Sequence, residues 1–182
     1  HDIINQLMVL KGYLSLLTDK TNDTVLVGFI NRIRKATENI ERQITFTRDY
    51  QDMGVKEPVW QNVKSTIVYA RGTLPMNGVT VDIDRPDLEI LADPLFEKIF
   101  YNLIDNSLKY GGGNLHAIHV RSQVTDQGLI VTYEDDGVGI TREEKEHLFE
   151  RGFGKHTGLG LFLSREILSI TGIAITETGI PG

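Results

Sequence analysis

The chain has 182 residues, 40% apolar and 24% charged, ordinary values for a globular protein of one domain or two small ones. Cysteine is absent, which excludes disulfides, thiolate zinc sites and a cysteine nucleophile. A formal charge of −6 argues against broad nucleic-acid binding, and it means that a polyanionic ligand would need local cations, backbone N–H groups or a metal around it.

The chain opens on His1 with no initiator Met and no signal peptide, so a fragment is expected. No apolar run approaches the roughly 20 residues that span a bilayer. The expected setting is the cytoplasm, with any membrane span upstream in the parent. Residues 1–52 read as two helices. Ile3, Leu7, Leu10, Leu14 and Leu17 alternate spacings of four and three. After a polar turn at residues 18–23, Leu26, Ile30, Ile33, Thr37, Ile40, Ile44 and Thr47 continue the rhythm. This is the seam of a coiled coil or bundle, and so short a loop makes the helices antiparallel. A hairpin of this size is too small to bury its seam alone. A four-helix bundle made by two chains is the economical expectation; the alternative is packing on the rest of the same chain.

Residues 53–58, with Gly54 and Pro58, read as a linker. Residues 59–182 read as a second domain. Residues 60–71 fit a helix, 79–83 and 89–92 fit strands, and Asp93-Pro94 fits a helix start, with Asp as N-cap and Pro at the first position. That helix is expected to stop at Gly111-Gly112-Gly113. Residues 115–124 and 129–133 read as a hairpin around Asp126-Gln127-Gly128. Thr141 and Glu144 form a capping-box pattern, residues 157–171 read as a helix and 173–178 as a strand. The expected class is α+β: a helical hairpin, then helices on one face of a mixed, mostly antiparallel sheet.

Three segments of the second part carry chemistry. Lys98, Asn102, Asn106 and Lys109 share one side of the helix from Asp93. Two amides and two ammonium groups there could hold phosphates and a hydrated Mg²⁺, since one amide oxygen with phosphate oxygens and waters suits that ion. A plain solvated helix face would look the same. Asp135, Gly137 and Gly139 give D-x-G-x-G after a strand. The carboxylate could accept from an adenine amino group, and the glycines let the backbone approach a flat base; ordinary turn chemistry is the alternative. Residues 154–161 are glycine-rich and open a helix, a ready anion site, or simply a loop that ends in a helix. The Walker pattern is absent.

Together these segments carry a resemblance. Asn102-Leu103-Ile104-Asp105-Asn106-Ser107-Leu108-Lys109-Tyr110, then Asp135-Asp136-Gly137-Val138-Gly139-Ile140, then Leu148-Phe149-Glu150-Arg151-Gly152, then Thr157-Gly158-Leu159-Gly160-Leu161 resemble the asparagine, first glycine, phenylalanine and second glycine boxes of histidine kinases. These kinases are among the Bergerat-fold ATPases. The resemblance runs over residues 93–178. It implies ATP and Mg²⁺ as cofactors, Asn106 as the Mg²⁺ ligand and Asn102 near metal and phosphates. It implies Lys109 on phosphate and Tyr110 packed near the nucleotide. Asp135 would take the adenine amino group, with Gly137, Gly139 and Ile140 lining the base pocket. Thr157, Gly158, Leu159, Gly160 and Leu161 would lie against the phosphates, and Phe149 would anchor the lid. The lid is short for the family, so Arg151 and Lys155 are the candidate phosphate contacts within it. Hydrolysing relatives carry a glutamate base at the position of Asn102; an amide cannot take a proton, which points to ATP held for another acceptor.

His1-Asp2-Ile3-Ile4-Asn5 resembles the histidine box of the same family. By that resemblance His1 accepts the phosphoryl group, Asp2 supports the ring and Asn5 orients a water in a phosphatase reaction. The implied partners are a second copy, through helices 1–52, and a response regulator receiver domain. Relatives supply one more strand beyond Pro181-Gly182, so a C-terminal truncation of domain 59–182 is expected. The competing readings are a chaperone-like ATPase of the same fold and a nucleotide-binding module without transfer.

Overall fold

The computed structural model describes residues 2–126, 128–154 and 157–180. Among the described residues two units emerge, one running to Gln51 and including Thr157, the other spanning 52–154 and 158–180. In the first, α1 (Asp2–Lys20) and α2 (Thr24–Asp52) are separated by only three residues. Asp23 starts α2, its Oδ1 accepting from the N–H groups of Val25 at 2.8 Å and Leu26 at 3.3 Å. Lys11 Nζ reaches Glu41 at 2.5 Å, and Arg34 donates to the Thr18 hydroxyl at 2.9 Å. As α1 advances seven residues from Lys11 to Thr18, its partner recedes seven along α2, from Glu41 to Arg34. The helices are therefore antiparallel, as the short loop requires.

The second unit is α+β, with the order β1 (Val59–Asn62), α3 (Val63–Thr73), β2 (Thr80–Ile83), β3 (Glu89–Ala92), α4 (Glu97–Tyr110), β4 (Ala117–Thr125), β5 (Gly128–Asp135), α5 (Arg142–His147) and α6 (Gly160–Ser169). Short 3-10 turns at Pro94–Phe96 and Gly112–Asn114 flank α4. α4 packs on α3 along one side and α6 along the other. Its Ile99, Phe100 and Ile104 meet the same core as Val63 and Ile67 of α3, Ile118 and Val120 of β4, and Leu163 and Ile167 of α6, all buried.

Several elements differ from the sequence expectation. Residues 60–62 are strand rather than helix. Asn62 is extended and its side chain accepts from Ser65 N at 2.9 Å, so the helix begins only at Val63. The expected single sheet is two. β1 pairs with β3 antiparallel, while β4 lies between a parallel β2 and an antiparallel β5. The helix expected over 157–171 begins at Gly160, because Gly158 sits at φ +60°, outside any right-handed helix. Residues 173–178 alternate between half-buried and exposed as a strand would, yet they join no ladder among the described residues. Residues 53–58 are neither helix nor strand, but Gly54 N donates at 2.9 Å to Asp93 Oδ2, which holds that stretch down. Asp93, only 1% exposed, also accepts from Leu95 N at 2.8 Å, the cap expected of Asp93-Pro94. Thr141 and Glu144 form the expected capping box.

Candidate functional site

α4 organises the site because its middle and its C-terminal end meet different glycine segments. At its middle, Asn102 Nδ2 donates to Gly160 O at 2.9 Å and to Ser164 Oγ at 3.1 Å. Gly160 and Asn102 are closely packed: a Cβ on Gly160 would lie 3.4 Å from Asn102 Cγ and Oδ1. The N-cap residue of α6 is Leu159, which offers no side-chain hydrogen bond, so the helix N-terminus keeps its favourable potential for an anion. One turn on from Asn102, Asn106 is half-buried, and its side chain makes no hydrogen bond among the described residues. Its amide oxygen is a hard donor of the kind Mg²⁺ takes alongside waters and phosphate oxygens.

At its C-terminal end, α4 meets the loop after β5. Val138 N donates to Gly111 O at 3.0 Å. A Cβ at Gly137 would sit 2.7 Å from Gly111 Cα and 2.8 Å from Asp135 Oδ1, so only glycine lets these two backbones touch. Asp135 ends β5 half-buried, with Gly137 N–H on its Oδ1 at 3.0 Å and the Ser107 hydroxyl on its Oδ2 at 2.6 Å. Gly139 lies at φ +76° and Ile140 is half-buried. The asparagines, Asp135, Gly137 and Gly160 are thus gathered along one helix.

Other predicted residues lie less centrally. Lys109 is exposed and its ammonium pairs with Asp105 one turn back, so a phosphate would have to compete for it. Tyr110 and Arg151 are exposed; Phe149, Thr157, Leu159 and Leu161 are half-buried. Gly158 folds back on the preceding loop: its carbonyl accepts Gly152 N at 3.1 Å, and a Cβ would fall 2.3 Å from Phe153 O. Lys155 and His1 lie outside the described residues. Asp2 and Asn5 are exposed on the first turns of α1, in the helical unit. Surface concavities elsewhere include one along α2, lined by Arg34, Lys35 and Arg42, and one beside α5, lined by Arg142, His147 and Phe153.

Two residues of the site escape a reading of the sequence. Ser107 is buried between α4 and β5. Asp136 Oδ1 accepts His116 N at 2.8 Å and Ala117 N at 2.9 Å, fixing the start of β4. The Ala117 and His116 backbone bonds hold the Asp136 carboxyl below its usual range. A polar Ser one turn after Leu103 on the inner flank of α4 was the available signal for the first; Asp136 carried none, since Asp-Gly reads as a turn.

Residues 92–180 match the family described as "Histidine kinase-, DNA gyrase B-, and HSP90-like ATPase". The signal transduction histidine-protein kinase ArlS of Staphylococcus aureus is 24% identical over 195 aligned positions, which take in 96% of this chain and 43% of ArlS. The chain therefore spans less than half the length of the curated relatives it matches. Among solved structures, the histidine kinase AdeS of Acinetobacter baumannii aligns over 93% of this chain and 86% of its own, with TM-score 0.54 and 21% identity. The catalytic domain of the histidine kinase ThkA aligns over 63% of this chain and 82% of its own, with TM-score 0.51 and 25% identity. The AdeS likeness is one of fold.

Proposed function

We propose that this chain, whose residues 92–180 match the histidine kinase-, DNA gyrase B- and HSP90-like ATPases, is a sensor histidine kinase core that binds ATP along α4 and passes the γ-phosphoryl group to His1. The observation that carries the reading is the Asn102–Gly160 bond at 2.9 Å, which joins the asparagine stripe to an uncapped helix N-terminus. Asp135, at the far end of α4, is free to accept from the adenine amino group with its remaining lone pairs. Gly158, Gly160 and the first turn of α6 face the triphosphate with backbone N–H groups. Asn106 supplies an oxygen toward Mg²⁺, and Mg²⁺ held there would offset charge on the phosphates. Lys109 and Arg151, with Lys155 by the family resemblance alone, are the candidate cations of a chain that is acidic overall.

Asn102 has its amide nitrogen committed to Gly160 and Ser164 and cannot act as a base. Water activation is thereby disfavoured, which supports transfer over hydrolysis. In the transfer step a neutral imidazole nitrogen of His1 bonds to the γ-phosphorus as the bond to the β–γ bridging oxygen breaks, and ADP leaves. Asp2, the next residue, stabilises the imidazolium. The phosphoryl group then passes to an aspartate of a response regulator receiver domain. Asn5, four residues after His1 in sequence and exposed, would orient a water for hydrolysis of the regulator's aspartyl phosphate, which releases inorganic phosphate.

The hairpin supports a homodimer. Leu7, Leu14, Ile30 and Thr37 are buried, while Ile3, Leu10, Leu17, Leu26, Ile33 and Ile40 remain exposed along the other half of the seam. Covering them with a second hairpin makes a four-helix bundle. No helix among the described residues is long and apolar enough to cross a membrane. We place the fragment's action in the cytoplasm, with membrane attachment left to the parent protein.

Incubation with Mg-ATP should yield a phosphoprotein that is labile in acid and stable in alkali, and His1→Gln should abolish it. An acid-stable product, or label retained in His1→Gln, would overturn the assignment. Steady ATP turnover without phosphoprotein would instead favour a chaperone-like ATPase.

A further inference from the structure

Beside Asp135 the fold buries a polar chain that the nucleotide reading leaves unused. Ser107 is 4% exposed on the inner flank of α4. A hydroxyl buried that far needs partners. Its Oγ lies 2.6 Å from Asp135 Oδ2, 2.8 Å from the Tyr133 hydroxyl and 3.2 Å from Leu103 O. Tyr133 and Asp135 are two apart on β5, so both side chains leave the same face of the strand, and Ser107 meets both.

The direction of the chain follows from proton counting. A serine hydroxyl has one proton. The short contact to a carboxylate takes it, because charge-assisted O–H···O⁻ bonds are the shortest and strongest available. Tyr133 must then donate into Ser107. It keeps the proton to do so: burial raises its phenol far above the usual range, the Ser107 bond offsets part of that rise and the Asp135 charge adds to it. The order is Tyr133 O–H to Ser107, and Ser107 O–H to Asp135. Bonds in such a series strengthen one another. On the opposite side, Gly137 N–H holds Asp135 Oδ1 at 3.0 Å. Both carboxylate oxygens are pinned from different elements, and each keeps a lone pair for one more donor.

We propose that Ser107, backed by Tyr133, is a positioning residue for base recognition: it locks the Asp135 carboxylate in the orientation from which it accepts a hydrogen bond from a 6-amino purine. The inference rests on the reading of Asp135 as the adenine contact. A carboxylate fixed before binding pays less ordering entropy when the base arrives, and that advantage exists only for a ligand with an amino donor. A base without the amino group gains nothing from the orientation of Asp135.

The test is equilibrium binding to the full chain of ATP and of purine riboside triphosphate, which lacks only the 6-amino group. Ser107→Ala should weaken ATP about fivefold and leave the analogue within about twofold, the scale of one lost hydrogen bond. Because alanine strands the buried Tyr133 hydroxyl, the double variant Ser107→Ala/Tyr133→Phe is measured beside it. The loss of preference for ATP should persist there while the thermal midpoint recovers. Equal weakening of both nucleotides, or undiminished preference for ATP in both variants, overturns the positioning role. Asp135→Asn separates the two levels. If it abolishes the preference and the Ser107 variants do not, only the Ser107 inference falls. If it leaves the preference intact, the adenine assignment falls and this inference falls with it.

Discussion

The two units of the chain solve the burial of apolar side chains in opposite ways. In the nucleotide unit, Ile67, Ile104, Ile118 and Ile167 come from four different elements and are all at 0% exposure. In the helical unit the seam splits every seven residues. Leu7 and Leu14 face inward, whereas Ile3, Leu10 and Leu17 range from 40% to 58% exposed; Ile30 and Thr37 face inward, whereas Leu26, Ile33 and Ile40 range from 46% to 50% exposed. The geometric reason is simple. Two helices can bury one stripe of a heptad against each other, and the second stripe points past the partner helix. At these positions the nucleotide unit thus closes a core with its own elements, while the hairpin leaves half of its seam exposed.

The largest predicted effect tests that contrast with the same chemistry on both sides. Ile104→Ala should cost about 2–5 kcal/mol of unfolding free energy, the usual range for truncating a fully buried isoleucine. The cost should not change with protein concentration. Ile33→Ala should cost little in dilute protein, about 0.5 kcal/mol or less for an exposed site, and progressively more as concentration drives dimerisation. Urea unfolding of both variants at two concentrations a hundredfold apart, on the order needed to cross a dimer transition, reads the difference. A concentration-independent effect at Ile33 would break the comparison.

The same contrast explains what the sequence revealed. The seam of residues 3–47 was legible because periodicity survives whether a stripe is buried by its own chain or by another. Which stripe would be buried was not legible, because that depends on the register between α1 and α2 set by contacts such as Lys11–Glu41. The asparagine stripe of α4 was legible from spacing alone. Trp60, however, sits three and seven residues before Val63 and Ile67, a helical rhythm, and only pairing with Leu91 makes it strand. A four-residue strand is fixed by its partner rather than by its own pattern. The Thr157 start failed for a different reason. Threonine reads as an N-cap, but the left-handed turn at Gly158 postpones the helix to Gly160. Ser107 and Asp135, 28 residues apart, meet only because β5 returns alongside α4.

A smaller effect sharpens the comparison within the nucleotide unit. Asn62 caps α3 through Ser65 N at 2.9 Å and ties back through its own amide to Pro86 O at 3.0 Å. Asn62→Ala should remove about 1 kcal/mol, the usual worth of such a cap. Denaturant unfolding should show it equally at low and high protein concentration, as for Ile104→Ala, because the cap serves a core that needs no second chain. A loss that appeared only at high concentration would place α3 in the dimer's energetics and blur the division.

The smallest effect is one of pH, and it too belongs to the nucleotide unit. The Asp136 carboxyl is held below its ordinary value first by the Ala117 N–H and then by that of His116. A group whose folded value is depressed contributes stability above its unfolded value, about 3.9 for aspartate, and that contribution is lost as pH falls through the folded value. Asp136→Asn keeps an oxygen that can accept both N–H groups but removes the charge. The variant's thermal midpoint should therefore fall less steeply than the parent's below about pH 4, and lie under the parent's at neutral pH. His147 works at the other end of the scale. Its hydrogen bond to Glu150, at 3.0 Å, raises the imidazole, so its contribution is full below about pH 6.5 and fades as pH rises through the raised folded value. Both groups are solvent-exposed, and added salt should flatten both effects. Parallel acid limbs for parent and Asp136→Asn would mean that the two backbone bonds at the start of β4 hold equally well without charge, and that the stability of this unit in acid is set elsewhere.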